Sequence, residues 1–287
     1  MKKILLVILS CLLLCGCDFE YDFSDTYLYT TEYPIEYATQ MLYGDYANVS
    51  SVYPMGSDRS YEVTEKKKDI YSEGETFIYS GLAGEAYLAR DLLNRNENIQ
   101  LIDATKGMAI TTNISGLWLN PSNYLMLCSN IKSSLIDYND NVYIKEDIEE
   151  KYKVLNEKVS ELDVKLYDIG KNGNYNTILT TNNVLKYLEK YNINVISIDE
   201  TDTTSLDKSY ADAKKAISNK EIQYIFYLQG DTLSKNQEKL IADNSLVKIE
   251  INNLFTITDQ DKQDGKDYIS IMNEIIDNYK KELYKTK

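Results

Sequence analysis

Residues 145–170 read KEDIEEKYKVLNEKVSELDVKLYDIG and carry the pattern that decides the fold. Apolar side chains recur here at alternating spacings of four and three residues, at Ile148, Tyr152, Leu155, Val159, Leu162, Leu166 and Ile169. This spacing predicts one helix of about seven turns with a single apolar face. Gly170 is a candidate C-terminal cap. A coiled coil would show the same seam, but the glycine and the following KNGN end it after about three heptads, which favours a single helix lying along a globular body.

Strand-like and helix-like segments alternate on both sides of this helix. Before it, strands are predicted at 27–31, 48–53, 76–79 and 99–103, with helices near 34–43, 64–72 and 84–94. After it, strands are predicted at 177–180, 193–198, 222–228 and 246–251, with helices near 182–191, 205–218, 234–243 and 266–284. Such alternation is typical of parallel strands joined by helical crossovers. The sequence therefore predicts an α/β protein of two lobes, 26–144 and 171–287, each a mainly parallel sheet with flanking helices, joined by one long helix.

The N-terminus resembles an export signal. Two lysines precede the apolar run ILLVILSCLLL (4–14), which is too short to span a bilayer as a helix and is typical of the core of a signal peptide. The run leads into LCGC (14–17), which resembles a bacterial lipobox, while an ordinary signal peptide cut nearby is the alternative. The lipobox interpretation makes 1–16 a lipoprotein signal peptide, Cys17 the lipidated residue and 17–25 a tether. It predicts a protein anchored by lipid to the extracytoplasmic face of the cell membrane.

The composition excludes several classes of function. Histidine is absent from the 287 residues, so no Ser-His-Asp triad, Cys-His pair or histidine-bearing zinc site can form. The formal net charge of −14 argues against a nucleic-acid partner, which requires concentrated Lys and Arg. Carboxylate pairs are plentiful, but none lies in a recognisable catalytic motif. We therefore expect neither an enzyme nor a bound cofactor.

Cys128 is predicted to be a structural residue. It lies on the stripe Tyr124, Cys128, Ile131 and Leu135, whose spacing of four, three and four residues places all of them on one helix face. Lipidation of Cys17 and loss of the signal peptide would leave it without a partner for a disulfide. Burial as a small apolar side chain is favoured over a reactive thiol.

Five stretches resemble, in order and spacing, the zinc- and manganese-binding solute-binding lipoproteins that serve ABC importers. They are YPIEYATQMLYGDYANVSSVYPMGSDRSYEVTEKKKDI (33–70), FIYSGLAGEAYL (77–88), LWLNPSNYL (117–125), TTNNVLKYLEKYNI (180–193) and GKDYISIMNEIIDNY (265–279). The likeness covers nearly the whole mature chain. It implies a ligand cleft between the lobes, an ABC permease as partner, and the binding of a solute.

The same resemblance implies that the metal ligands have been replaced. In that family three histidines and one carboxylate hold the metal between the lobes, and these positions align with Arg59, Gly116, Asn182 and Phe255. Trp118 is expected to form a wall of the cleft. Arg59 keeps its positive charge in any environment, and glycine and phenylalanine side chains offer no lone pair. We therefore expect no metal site of the family's kind.

The content of the cleft is open to two interpretations. In one, Arg59 forms a fork for the carboxylate or phosphate of a small polar or anionic solute, with Asn182 as donor and acceptor. In the other, Arg59 pairs with Asp58, Glu62 or another carboxylate, and the cleft is filled. The interpretation in which Arg59 binds a solute suits a solute-binding component of an ABC importer whose metal binding is lost or altered. The alternative is a surface protein that uses the fold for adhesion or docking and transports nothing.

Overall fold

The computed structural model describes residues 23–109 and 113–286. The predicted signal peptide, Cys17 and most of the predicted tether lie outside these ranges. Phe23, from the end of the predicted tether, packs edge-on against the ring of Tyr46, with ring centroids 5.4 Å apart. Within the described ranges, no helix combines the length and the apolar character that crossing a membrane requires.

The first lobe is a four-stranded parallel sheet with flanking helices. Its strands are β1 (Tyr27–Thr30), β2 (Asn48–Ser51), β3 (Thr76–Tyr79) and β4 (Gln100–Asp103). Its helices are α1 (Tyr33–Tyr43), α2 (Glu65–Ser72), α3 (Ala86–Arg95), the short α4 (Gly116–Leu119) and α5 (Pro121–Tyr138). The strand order is β2-β1-β3-β4. The chain leaves β1 and β3 in opposite directions, so a crevice opens at their carboxyl ends, where open α/β sheets bind ligands.

The second lobe repeats this arrangement. Its strands are β5 (Thr177–Thr180), β6 (Asn194–Ser197), β7 (Tyr224–Leu228) and β8 (Val247–Ile251), in the order β6-β5-β7-β8 and all parallel. A 3₁₀ helix (Asn183–Tyr191) follows β5, and the α-helices are α7 (Leu206–Ser218), α8 (Lys235–Asn244), α9 (Asp259–Gln263) and α10 (Tyr268–Leu283). The crevice of this lobe lies at the carboxyl ends of β5 and β7. The predicted two-lobed α/β fold is confirmed.

The predicted long helix, numbered α6 here after its place in the chain, runs from Val142 to Asn172 and joins the lobes. Its buried face consists of Ile144, Ile148, Leu155, Val159, Leu162, Leu166 and Ile169. It packs against α1 and α5 of the first lobe and against α10 and the 3₁₀ helix of the second. One apolar seam therefore supports both lobes, as the periodicity predicted.

Gly170 is not the cap of this helix, and that prediction is wrong. The helix continues past it to Asn172, and Gly173 takes the C-cap position. A Cβ atom on Gly170 would lie 1.9 Å from the carbonyl oxygen of Tyr191, at the end of the 3₁₀ helix. Glycine is required here because another backbone approaches closely, and not because the helix stops.

Cys128 is fully buried in α5 and forms no disulfide among the described residues. Tyr124, Ile131 and Leu135 are buried beside it on the same helix face. Burial raises the pKa of the Cys128 thiol well above its usual range. The predicted structural role of this residue is confirmed.

Candidate functional site

Three of the residues that the sequence analysis assigned to the ligand cleft meet where the two lobes face each other. Arg59 lies in the loop between β2 and α2, Trp118 lies in α4, and Phe255 follows β8 of the second lobe. The guanidinium carbon of Arg59 is 4.7 Å from the ring centroid of Phe255 and 5.8 Å from that of Trp118. Both distances suit cation–π contacts. The guanidinium is therefore held by aromatic walls from both lobes.

The charge of Arg59 is balanced by a carboxylate of its own lobe. Its Nη1 lies 3.6 Å from Oε1 of Glu32, which comes two residues after β1. The Glu32 side chain is completely buried, whereas 38% of the Arg59 side chain is exposed. The hydroxyl of Thr31 donates a hydrogen bond to the other carboxylate oxygen of Glu32, at 2.6 Å. Arg59 thus pairs with another carboxylate, neither Asp58 nor Glu62.

A second buried carboxyl group, that of Glu85, lies against Glu32. Glu85 follows β3 and precedes α3, it is 4% exposed, and the hydroxyl of Tyr53 donates to its Oε1 at 3.1 Å. Burial, and to a smaller extent the charge of Glu32, raises the pKa of Glu85 to about 9. Glu85 is therefore protonated at neutral pH.

The proton on Glu85 completes the cluster. Oε1 of Glu32 and Oε2 of Glu85 are buried and have no donor among the described residues if both groups are ionised. A proton shared between the two carboxyl groups would give both atoms a partner, and the neighbouring Glu32 contributes to the raised pKa of Glu85. One guanidinium, one carboxylate and one carboxylic acid then leave the cluster neutral. We name Arg59, Glu32, Glu85 and Tyr53 the arginine cluster.

The segment that carries Phe255 is fixed to the first lobe by its backbone. The amide of Tyr33 donates to the carbonyl of Phe255 at 3.0 Å, and the amide of Gly56 donates to that of Ile257 at 3.1 Å. The indole Nε1 of Trp118 donates to the carbonyl of Asn253 at 2.9 Å. The ring of Phe255 also packs on Tyr53, with centroids 4.7 Å apart. These bonds hold the loop after β8 against the first lobe beside Arg59, which keeps part of its side chain in contact with solvent.

Gly116 and Asn182 are not among the residues that hold the guanidinium. Gly116 is the first residue of α4, and its carbonyl accepts a hydrogen bond from Asn123 at 3.1 Å. Asn182 caps the 3₁₀ helix by accepting from the amide of Val184 at 3.0 Å. Its Nδ2 donates to Oδ2 of Asp231 at 2.5 Å. Asn182 lines a polar cavity of about 330 Å³ that Arg59, Trp118 and Phe255 do not line.

Of the aligned positions, Arg59 and Phe255 meet at the arginine cluster, Asn182 lines the separate cavity, and Gly116 belongs to neither. Glu32, Glu85 and Tyr53 were missed by the sequence argument. Their available signal was position near the carboxyl ends of the predicted strands, where ligand-binding side chains gather: Glu32 comes directly after the strand 27–31, Tyr53 ends the strand 48–53, and Glu85 comes six residues after the strand 76–79. In the part of the chain that the structure describes, no three Cys, Asp or Glu side chains converge in a way that would hold a metal ion.

Comparison with known proteins agrees with this architecture. The zinc-binding lipoprotein AdcA of Streptococcus pneumoniae (strain ATCC BAA-255 / R6) is 25% identical over 271 residues, which cover 85% of this chain. The chain spans about half of that relative's length, 53%.

Two solved structures share the fold. The Zn(II)-bound ZnuA-like domain of Streptococcus pneumoniae AdcA superposes with a TM-score of 0.70 at 23% identity, covering 91% of this chain and 99% of that one. The metal-dependent lipoprotein YcdH of Bacillus subtilis gives 0.72 at 20% identity, covering 90% and 99%. Residues 28–282 match the sequence profile of the family described as "Zinc-uptake complex component A periplasmic", or ZnuA. That match spans most of the chain, and this protein therefore belongs to the ZnuA family.

Proposed function

We propose that this protein is a lipid-anchored, extracytoplasmic solute-binding component of an ABC importer in which its own guanidinium group replaces the family's metal ion. The observation that carries the proposal is the position of Arg59, which aligns with a family ligand and contacts Glu32 of one lobe and Phe255 of the other. The family description, a component of a zinc-uptake complex, supports the importer role. The relatives' names, zinc-binding lipoprotein and metal-dependent lipoprotein, support the lipid anchor.

The chemistry of the arginine cluster opposes a bound dication. The guanidinium stays protonated at all ordinary pH values, so a metal ion beside it would face a like charge. The donors within reach are Glu32, already paired, and Glu85, which holds its proton. The aromatic walls offer no lone pairs. Metal binding at this position would require Arg59 to leave.

The cavity beside Asn182 favours solute binding over the alternative role of an adhesion or docking protein. It is open and polar, and it lies at the sheet edge where α/β proteins bind ligands.

The test of the metal replacement is thermal unfolding of the purified protein with added Zn²⁺ or Mn²⁺. A ligand that binds the folded state contributes about 2.7 kcal/mol of stability at a hundredfold excess over its Kd. We expect neither ion to raise the Tm beyond the effect of Mg²⁺, which serves as the control for weak binding to an acidic surface. A specific rise with zinc would contradict the proposal.

The anchor is tested at Cys17. Replacing Cys17 with Ala removes the only thiol at the predicted lipidation position, and stable attachment to a membrane requires two or more acyl chains. We expect Cys17→Ala to release the protein from the membrane fraction or to leave it unprocessed, as seen by fractionation and intact mass. Cys128→Ala is the matched control and should stay attached. Unchanged attachment of Cys17→Ala would show that another segment holds the protein.

A further inference from the structure

The second lobe contains an open polar cavity that none of the described residues fills. It measures about 330 Å³ and lies at the carboxyl ends of β5, β6 and β7. Thr181 follows β5, Asp199 follows β6, and Asp231 follows β7, so each central side chain comes from a different strand end. The volume falls in the range of pockets that bind small molecules.

The cavity is negatively charged. Three carboxylates line it, Asp199, Glu200 and Asp231, and its lining among the described residues includes no lysine or arginine. The remaining lining side chains are mostly hydroxyls and amides. A site with this charge attracts cations and repels anions. An anionic solute is therefore disfavoured here.

Two of the three carboxylates each accept several hydrogen bonds from their own chain. Asp199 accepts hydrogen bonds from the amides of Asn183, at 3.1 Å, and Thr201, at 3.0 Å. Glu200 accepts from the hydroxyl of Ser234 at 2.6 Å. These bonds fix both side chains in place and leave Asp231 as the carboxylate best able to meet a ligand.

Among these three carboxylates, the negative charge of Asp231 is stabilised by the fewest hydrogen bonds to its side chain. It accepts one side-chain hydrogen bond, from Asn182, and one backbone contact, from Leu228, and it forms no ion pair with any described residue. Burial raises the pKa of Asp231, and the charge of Asp199 raises it further. The ionised form therefore lacks a positive partner that a cation in the cavity would supply.

Thr181 supplies a second, independent sign of a ligand. It is 5% exposed, it lines the cavity, and its hydroxyl has no hydrogen-bond partner in the described part of the chain. Buried hydroxyl groups almost always have a partner, and leaving one without a partner is unfavourable. A polar group of a bound molecule would provide it.

We propose that this cavity binds a small hydrophilic organic cation, an ammonium or guanidinium compound, paired with Asp231 and hydrogen-bonded to Thr181 and Asn182. A bare metal ion does not fit, because no three Cys, Asp or Glu side chains of the described residues converge around a common point. The inference rests on the proposed function, in which this molecule is the solute delivered to the importer.

Isothermal titration calorimetry of the purified protein tests the inference. The cationic probes are agmatine, putrescine and ethanolamine, and the controls are neutral glucose and anionic glutamate. We expect saturable binding of at least one cation and of neither control. Asp231→Asn should weaken that binding by about tenfold or more, because a charged hydrogen bond is lost, and Thr181→Val should weaken it less. Asp277→Asn removes a carboxylate from the exposed side of α10 and should leave the affinity unchanged.

Circular dichroism and the Tm of each variant show whether the fold is kept. If Asp231→Asn does not fold, the affinity of Thr181→Val for the cationic probe tests the proposed site. The inference is overturned if no cationic probe binds, if glucose or glutamate binds more tightly, or if neither variant changes the affinity. Zinc binding is measured separately on the same protein. Tight zinc binding would contradict the proposed function, whereas absence of binding by every cation would contradict only the inference about the cavity.

Discussion

The two sheets have the same strand order, yet the crevice of the first lobe holds a neutral cluster and the crevice of the second lobe is negatively charged. In the first lobe the loop after β2 supplies Arg59, which neutralises Glu32. In the second lobe the loop after the matching strand, β6, supplies Asp199 and Glu200, and the cavity stays open and negative. The shared topology fixes where a site lies, and a few loop residues decide whether the protein fills it itself.

A short repeat makes the comparison closer. The last residue of β1 opens the sequence TTE (30–32), and the last residue of β5 opens TTN (180–182). In the first lobe the Thr31 hydroxyl donates to Glu32 beside it. In the second lobe Asn182 turns to Asp231, and the Thr181 hydroxyl is left without a partner among the described residues. The threonine hydroxyl at the equivalent position thus has a partner in the first lobe and none among the described residues of the second.

The largest effect should come from the helix on which both lobes depend. Val159 is fully buried in the middle of α6, so Val159→Asp would bury a carboxylate with no partner and lower the free energy of unfolding by about 3 kcal/mol or more. Both crevices would be lost together, because both lobes pack on this helix. Val164→Asp is the control, since Val164 on the same helix is 65% exposed. Equal midpoints of urea unfolding for the two variants would show that the seam does not support the lobes.

A smaller effect should follow from removing the guanidinium. Arg59→Met keeps much of the side-chain length and leaves Glu32 buried without a cation, and we expect a loss of about 2 kcal/mol. The figure lies below that of a fully buried pair because part of Arg59 reaches solvent. Arg90→Met changes an exposed arginine of α3 and should cost almost nothing. Urea unfolding of both variants checks this.

A double-mutant cycle measures the interaction between Arg59 and Glu32. If Arg59 acts through Glu32, then Arg59→Met combined with Glu32→Gln should be less destabilising than the sum of the two single changes. Strict additivity would mean that the ion pair contributes nothing, and the arginine cluster would then be a packing arrangement alone.

The proton on Glu85 should make the first lobe sensitive to pH. Its pKa rises from 4.5 in the unfolded chain to about 9 in the folded protein, so the folded state binds more protons between these values. The stability that protonated Glu85 contributes to the folded state is therefore fully present below pH 4.5. It is lost as the pH rises towards 9, and the free energy of unfolding falls by at most about 1.4 kcal/mol per pH unit. Glu85→Gln keeps the neutral shape and should remove this part of the slope.

The measurement is the difference in unfolding free energy between the unmodified protein and Glu85→Gln at several pH values from 5 to 9. The variant should gain relative stability as the pH rises. Glu97→Gln, which changes a carboxylate on the surface of the first lobe, is the control and should run parallel to the unmodified protein. A flat difference for Glu85→Gln would show that Glu85 is already ionised at neutral pH.

The sequence predicted the elements of the fold well because the signal is local. The seam of α6 and the alternation of strands and helices are periodic within each segment, and so is the stripe of Cys128. The role of Gly170 was misjudged because it depends on a contact with Tyr191, which is remote in sequence. The helix α9 was not predicted, since its five residues, DQDKQ, carry no apolar period.

The candidate site was harder to predict. The alignment with family ligands named Arg59 and Phe255, which do meet, but it could not show that Asn182 belongs to a different cavity. Glu32 and Glu85 come from loops after different strands, and only the assembled sheet brings them together. The charge of a site is a sum over such distant residues, and no spacing within one segment reveals it.

The central claim is that the chain's own guanidinium stands where the family holds its metal. Native mass spectrometry of the protein, produced in zinc-supplemented medium and purified without chelator, tests it most directly. The account predicts the mass of the folded chain with no zinc or manganese retained after buffer exchange. A folded species that carries one tightly held zinc ion, lost only with chelator or on unfolding, would contradict it.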